Sequence, residues 1–274
     1  MRKTSFYFSF LALPKVKRQA IIAVWDFCHA VDDAVDLAPD PAQAARALEL
    51  WRTEVGRVFG AGEPETEQGR RLVPFIERCR LPRQQFEALI EGVGMDAAPR
   101  RYETFADLEP YCHRVASAVG LICAEIFEYQ EAAALDYARD LGVALQLTNI
   151  LRDVGVDFRN DRVYLPQEDL AKFGCDENDI RREVEGAGHG VQSEAMRQVL
   201  EHQATRARIY YSRAARALPK GDARNFAAAE IMRAVYFDLL RRIEARACDV
   251  FTDVVRVPRP YQAWLAARTW LRAG

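Results

Sequence analysis

The chain has 274 residues, half of them hydrophobic, with 38 Lys and Arg against 40 Asp and Glu. That content can bury a sizeable core, and a net charge of −2 gives no bulk electrostatic case for nucleic acid. Six cysteines occur without a Cys-x-x-Cys pair and mostly in apolar helical pattern, so they read as reduced core residues of a cytoplasmic protein.

Apolar residues recur at helical spacing along almost the whole chain, and no stretch shows sustained strand alternation. The expected class is all-α, in one domain spanning 1–274, because no long linker and no fixed-period repeat divides it. Met1-Arg2-Lys3 and then Thr4 to Pro14 have the outline of a short signal peptide. Lys15, Lys17 and Arg18 follow at once without a small-x-small cleavage site, so none is expected. The first helix starts after Pro14 and runs to about Leu37, and a second covers about 41–59. Further helices are expected at about 69–79, 82–95, 104–128 and 131–156, then an irregular segment over 158–166. Short helices near 167–173 and 176–185, a loop over 186–190, and long helices at about 191–217 and 222–252 follow. A short helix closes the tail after Pro258 and Pro260. No apolar run reaches the roughly 18–20 residues of a membrane span.

Two helices carry site arithmetic. On the first, Val24, Cys28, Val31 and Val35 make an apolar stripe, and Trp25, His29, Asp32 and Asp36 run beside it within about 60° of one another. Asp33 is rotated away by roughly 70°. No Lys or Arg lies between Asp26 and Asp36 to pair these carboxylates at i+4, which suggests a cavity wall rather than a solvent face. On the 131–156 helix, Gln146, Asn149, Asp153 and Asp157 also share one stripe. Facing oxygen-rich walls repel unless cations lie between them, and Mg²⁺, with Mn²⁺ as a substitute, prefers oxygen ligands and holds substrate phosphates. Such ions polarise the departure of a diphosphate. Phe6, Tyr7, Phe8, Phe10, Trp25, Tyr111, Phe127 and Tyr236 offer π faces to an allylic cation left behind.

These residues resemble the squalene/phytoene synthase family of head-to-head prenyl transferases along almost the whole chain. Ser5-Phe6-Tyr7 resembles its opening segment, and Asp32-Asp33-Ala34-Val35-Asp36 its first aspartate motif. Tyr111-Cys112-His113-Arg114-Val115-Ala116 resembles its tyrosine motif, Gln146 to Asp157 its second acidic motif, and Arg162-Val163-Tyr164-Leu165-Pro166 the flap that follows. Met95-Asp96, Arg101 to Phe105, Val115 to Leu121 and Asp249 to Pro260 are similar to the bacterial presqualene diphosphate synthases of hopanoid biosynthesis. The resemblance implies an isoprenoid-synthase-type helical bundle around a prenyl-diphosphate cavity. It implies Mg²⁺-dependent condensation of two farnesyl diphosphates to presqualene diphosphate. By the same resemblance, Asp32, Asp36, Asn149, Asp153 and Asp157 hold metal. Ser5, Phe6, Trp25, His29, Gln146, Arg152 and Tyr236 contact substrate, and Tyr111 lies near the rearranging cation with Asp32, Asp36 and Asp153 as catalytic acids. The proton acceptor stays open between Tyr111 and released diphosphate.

The chain departs from the family at His29, where Arg is usual, and at Trp25, where Tyr is common. Arg would be a permanent bidentate phosphate clamp and His is not. NADPH is not expected, because no Gly-rich dinucleotide fingerprint is present. Phytoene synthase using geranylgeranyl diphosphate, hydroxysqualene synthase and a non-catalytic scaffold relative are the competing functions. A head-to-tail elongase fits less well, because Asn149 stands where a second Asp-Asp-x-x-Asp would begin. Trp264, Leu265, Trp270 and Leu271 among Arg259, Arg268 and Arg272 could rest on the inner membrane face, with packing onto the bundle the favoured reading. Downstream isoprenoid enzymes are the partners that a lipid-soluble product implies.

Overall fold

The computed structural model describes residues 7–11, 13–187 and 192–273, and within these the regular structure is helical throughout. Ser5 and Phe6 lie outside the described residues. In chain order the helices are α1 (Tyr7–Leu11), α2 (Lys15–Asp36), α3 (Pro41–Gly56), α4 (Glu67–Ile76), α5 (Arg83–Gly94), α6 (Phe105–Cys112) and α7 (Ala118–Phe127). Then come α8 (Ala133–Arg159), α9 (Gln167–Lys172), α10 (Glu177–Glu185), α11 (Glu194–Ala217), α12 (Ala227–Ala245) and α13 (Arg259–Ala273).

Local chemistry sets most boundaries. Asp40 accepts from Gln43 N at 2.8 Å and Pro41 opens α3, while Thr104 with Asp107 and Asp176 with Asp179 form reciprocal capping boxes on α6 and α10. Buried Glu54 is fully committed to a turn, accepting from Glu65 N, Thr66 N and the Thr66 hydroxyl at 3.1, 2.8 and 2.8 Å. All six cysteines are free thiols.

Three expectations change. A short α1 precedes Pro14, ahead of the expected first helix. The single helix expected over 104–128 is divided by a wide π-type turn at His113–Ser117. The helix expected over 222–252 ends at Ala245, because Ala247 and Cys248 turn left-handed with φ of 53° and 58°.

α8 is the central strut. It packs along α11 and is crossed by α7, by the wide turn and by α12, while α2 packs on α3, α4, α5 and α7. Glycines allow the tightest crossings: a Cβ on Gly142 of α8 would sit 2.6 Å from the Ser117 backbone, and one on Gly120 of α7 would sit 2.7 Å from Ala138 O. α2, α7, α8 and α12 leave between them the cavity described next.

Candidate active site

The cavity has a volume of about 320 Å³, within the range of small-molecule sites. Its wall is mostly apolar and includes Phe10, Ile21, Trp25, Leu89, Phe127 and Met232. Tyr137 and Phe226 meet edge to face with ring centroids 5.5 Å apart, and Phe127 meets Phe226 at 5.1 Å, so three aromatic rings cluster along one part of the wall. From Tyr137 to Asn149 the α8 axis rises about 18 Å. The apolar channel therefore runs along α8 toward a polar mouth.

At that mouth part of each stripe read from the sequence comes together, joined by Arg152 from outside the stripe. Trp25, His29 and Asp32 of α2 and Gln146, Asn149 and Arg152 of α8 line the cavity, with Tyr236 of α12. The His29 ring stands edge-on to Trp25 at 4.4 Å, and Trp25 in turn meets Phe10 at 6.2 Å. Arg152 donates from Nε to Asp153 Oδ1 at 2.7 Å and from Nη2 to Asp153 Oδ2, a two-armed pair. The Tyr236 hydroxyl joins both Arg152 and Asn149. Asp36, Asp153 and Asp157 do not line the cavity itself; Asp153 pairs with Arg152 of its wall, Asp36 pairs with Arg162, and Asp157 lines a separate small cleft together with Arg162.

Electrostatics tie these carboxylates together. Burial raises Asp32 to about 7, helped by the nearby charges of Asp36, Asp96 and Asp33. Burial likewise raises Asp157 to about 7, helped by Asp153 and Asp96. Arg162 opposes both rises. Asp32 on α2 and Asp157 on α8 thus share two neighbours, Asp96 and Arg162.

Asp96 follows the C-terminal end of α5, the negative end of the helix dipole, where a carboxylate is disfavoured. It is held by hydroxyls: Tyr111 donates to Oδ2 at 2.8 Å and Tyr164 donates to Oδ1 at 2.7 Å. The Tyr111 and Tyr164 rings stack at 5.1 Å, with Tyr102 completing the cluster. Burial still raises the Asp96 carboxyl against the pull of both hydroxyls. Tyr111 is 4 % exposed and is not on the cavity wall. The structure brings it to Asp96 and the acidic entrance instead. The sequence singled out Asp96 only within the Met95-Asp96 resemblance and gave it no role; an acid placed at a helix C-terminus was a further signal.

The residues fit a hard divalent cation. Asn149 Oδ1 is buried without a hydrogen-bond partner, an acceptor in want of a cation or donor. The surrounding donors are oxygens, and two of the carboxyls bear raised pKa values that a nearby cation would relieve. Among the described residues no three His, Cys, Asp or Glu side chains converge closely enough to enclose one ion.

An all-α bundle with an apolar channel behind an acidic mouth is the architecture of the isoprenoid-synthase fold. A dehydrosqualene synthase crystal structure with bound ligand superposes with a TM-score of 0.85 at 26% identity, covering 100% of this chain and 93% of that one. The squalene synthase HpnC from Alicyclobacillus acidocaldarius follows at 0.77 and 28%, covering 88% of each chain. The squalene/phytoene synthase family profile matches residues 2–261. A 15-cis-phytoene synthase of Synechococcus elongatus is 38% identical over 93% of this chain and 84% of its own length. A presqualene diphosphate synthase of Rhodopseudomonas palustris is 35% identical over 89% and 84%. The chain belongs to the squalene/phytoene synthase family, whose members are head-to-head prenyltransferases.

Proposed function

We propose that the protein joins two farnesyl diphosphates head to head, releasing one diphosphate and forming presqualene diphosphate. The observation that supports this is an apolar cavity whose wall carries both the aromatic cluster of Phe127, Tyr137 and Phe226 and the polar side chains of Asp32, Asn149 and Arg152. Asp32, Asp36, Asn149, Asp153 and Asp157 would hold Mg²⁺, which when bound neutralises the departing diphosphate. Arg152 and His29 orient the diphosphate, and Gln146 borders it. By the family resemblance Ser5 and Phe6, which lie outside the described residues, would also contact substrate. The C–O bond of one substrate breaks with its electron pair leaving on diphosphate, and the allylic carbon bonds to the double bond of the second substrate. Trp25, Phe10 and Tyr236 face the resulting cation, each such face contributing roughly 0.5–2 kcal/mol. The proton lost as the cyclopropane ring closes passes to the released diphosphate, since Tyr111 is committed to Asp96. Asp32, Asp36 and Asp153 are the acids whose loss stops ionisation, and Tyr111 keeps the acidic entrance in shape.

A second reading has its own support: the Synechococcus relative is named a phytoene synthase. Under that reading the substrate is geranylgeranyl diphosphate. Incubation with each diphosphate, with and without NADPH, separates the two by product length and by reduction. A lipid-soluble product also favours contact with a membrane surface through the exposed Trp264, Trp270 and Leu271 of α13.

A further inference from the structure

Arg162 lies on the irregular segment between α8 and α9, folded back so that its N–H donates to Asp157 O at 2.9 Å. Its Nη2 crosses to the other wall and donates to Asp36 Oδ1 at 2.8 Å, spanning 126 positions of sequence. Two residues on, Tyr164 pins the same segment to Asp96. The Arg162 charge acts on Asp32 and Asp36 of α2, on Asp157 of α8 and on Asp96 beyond α5. An ordinary surface pair serves one carboxylate; this guanidinium stands among four. It is also partly exposed, at 24%, with Asp36 at 53%, so the pair can open toward solvent without tearing the core.

On the described cavity wall the basic side chains are His29 and Arg152, and Arg152 already shares its guanidinium with Asp153 through Nε and Nη2. A planar guanidinium beside the entrance is the group best suited to grip diphosphate oxygens in two-armed fashion. We propose that Arg162 is an exchangeable counter-ion: it holds Asp36 in the metal-free protein, yields Asp36 to a bound divalent cation, and then clamps the diphosphate at the mouth. This rests on the diphosphate reading above.

The test uses the full-length protein without prenyl substrate. Mn²⁺ binding is read from the electron paramagnetic resonance signal of the free ion, and inorganic diphosphate is then titrated at saturating Mn²⁺. In Arg162→Gln the competing charge is gone, so Mn²⁺ binds roughly tenfold more tightly and diphosphate roughly tenfold more weakly than in wild type. A purely structural ion pair would move neither constant in these opposed directions. Arg162→Lys keeps the charge without the fork, so it leaves Mn²⁺ binding near wild type and still weakens diphosphate roughly threefold. If Arg162→Gln does not fold, the Lys variant decides alone: unchanged diphosphate affinity overturns the proposal. In the folded Gln variant, an unchanged or weakened Mn²⁺ affinity overturns it. Wild-type protein that binds neither Mn²⁺ nor diphosphate would overturn the diphosphate reading itself, and this inference with it.

Discussion

Asp32 and Asp157 hold their carboxyls at about 7, above the 3.8 of an ordinary aspartate. A raised folded-state value means that the folded protein binds more protons than the unfolded chain between those two limits. Stability from these groups is therefore full below about pH 4 and is lost as pH rises through about 7. The metal-free melting temperature should fall between about pH 4 and 7 and level off above that, and added Mg²⁺ should recover more of it at the upper end. A flat profile that Mg²⁺ does not move would contradict the acidic-mouth account. Asp157→Asn separates stability from function: the apo protein should melt higher at pH 8, while turnover drops at least roughly tenfold. His29→Arg should lower KM without changing the fold, because a fork replaces a weaker donor; an unchanged or raised KM removes His29 from phosphate binding. At this scale Trp25, His29 and Asp32 of one stripe and Gln146 and Asn149 of the other were readable from helical spacing; Arg152 lay outside the stripe, and Asp36, Asp153 and Asp157 of the stripes do not line the cavity. Asp96 was not readable in the same way. Its partners Tyr111 and Tyr164 come from distant segments, and only the packed fold brings their hydroxyls to it.

Among the elements, α8 was legible nearly to its ends, since its apolar period is sustained and its site residues share one phase. The break at His113–Ser117 was not, because nothing in Val115 to Gly120 forbids a continuous helix. Its cause is tertiary. The wide turn presses its backbone onto Gly142, and Ser117 donates to Arg139 O at 2.6 Å. Gly142→Ala should force these elements apart and lower stability by about 1–3 kcal/mol, seen as a reduced melting temperature with the helical signal kept. The early end of α12 has a similar origin: exposed Ala247 takes a left-handed turn that composition does not announce. Ala247→Gly should stabilise the protein by roughly 1 kcal/mol, measurable by chemical denaturation.

Over the whole molecule, the bundle encloses a mostly apolar cavity whose charged lining residues are Asp32 and Arg152. α13 packs on α12 through buried Leu265 and Ala266, the outcome favoured from sequence, yet leaves Trp264, Trp270 and Leu271 exposed at 48, 55 and 73%. Among the described residues no helix is long and apolar enough to cross a membrane. Trp and Leu beside Arg268 and Arg272 suit an anionic bilayer surface. Sedimentation with anionic vesicles should capture the wild type, and a Trp270→Ser, Leu271→Ser double variant should stay in the supernatant. Equal behaviour of the two proteins would remove α13 from any membrane role.

The central claim is head-to-head joining of two farnesyl chains within this channel. Product analysis after incubation with farnesyl diphosphate and Mg²⁺, without NADPH, tests it most directly. The account predicts presqualene diphosphate with one diphosphate released per condensation. Folded protein that releases no diphosphate, or that turns over geranylgeranyl diphosphate and ignores the farnesyl substrate, would contradict it.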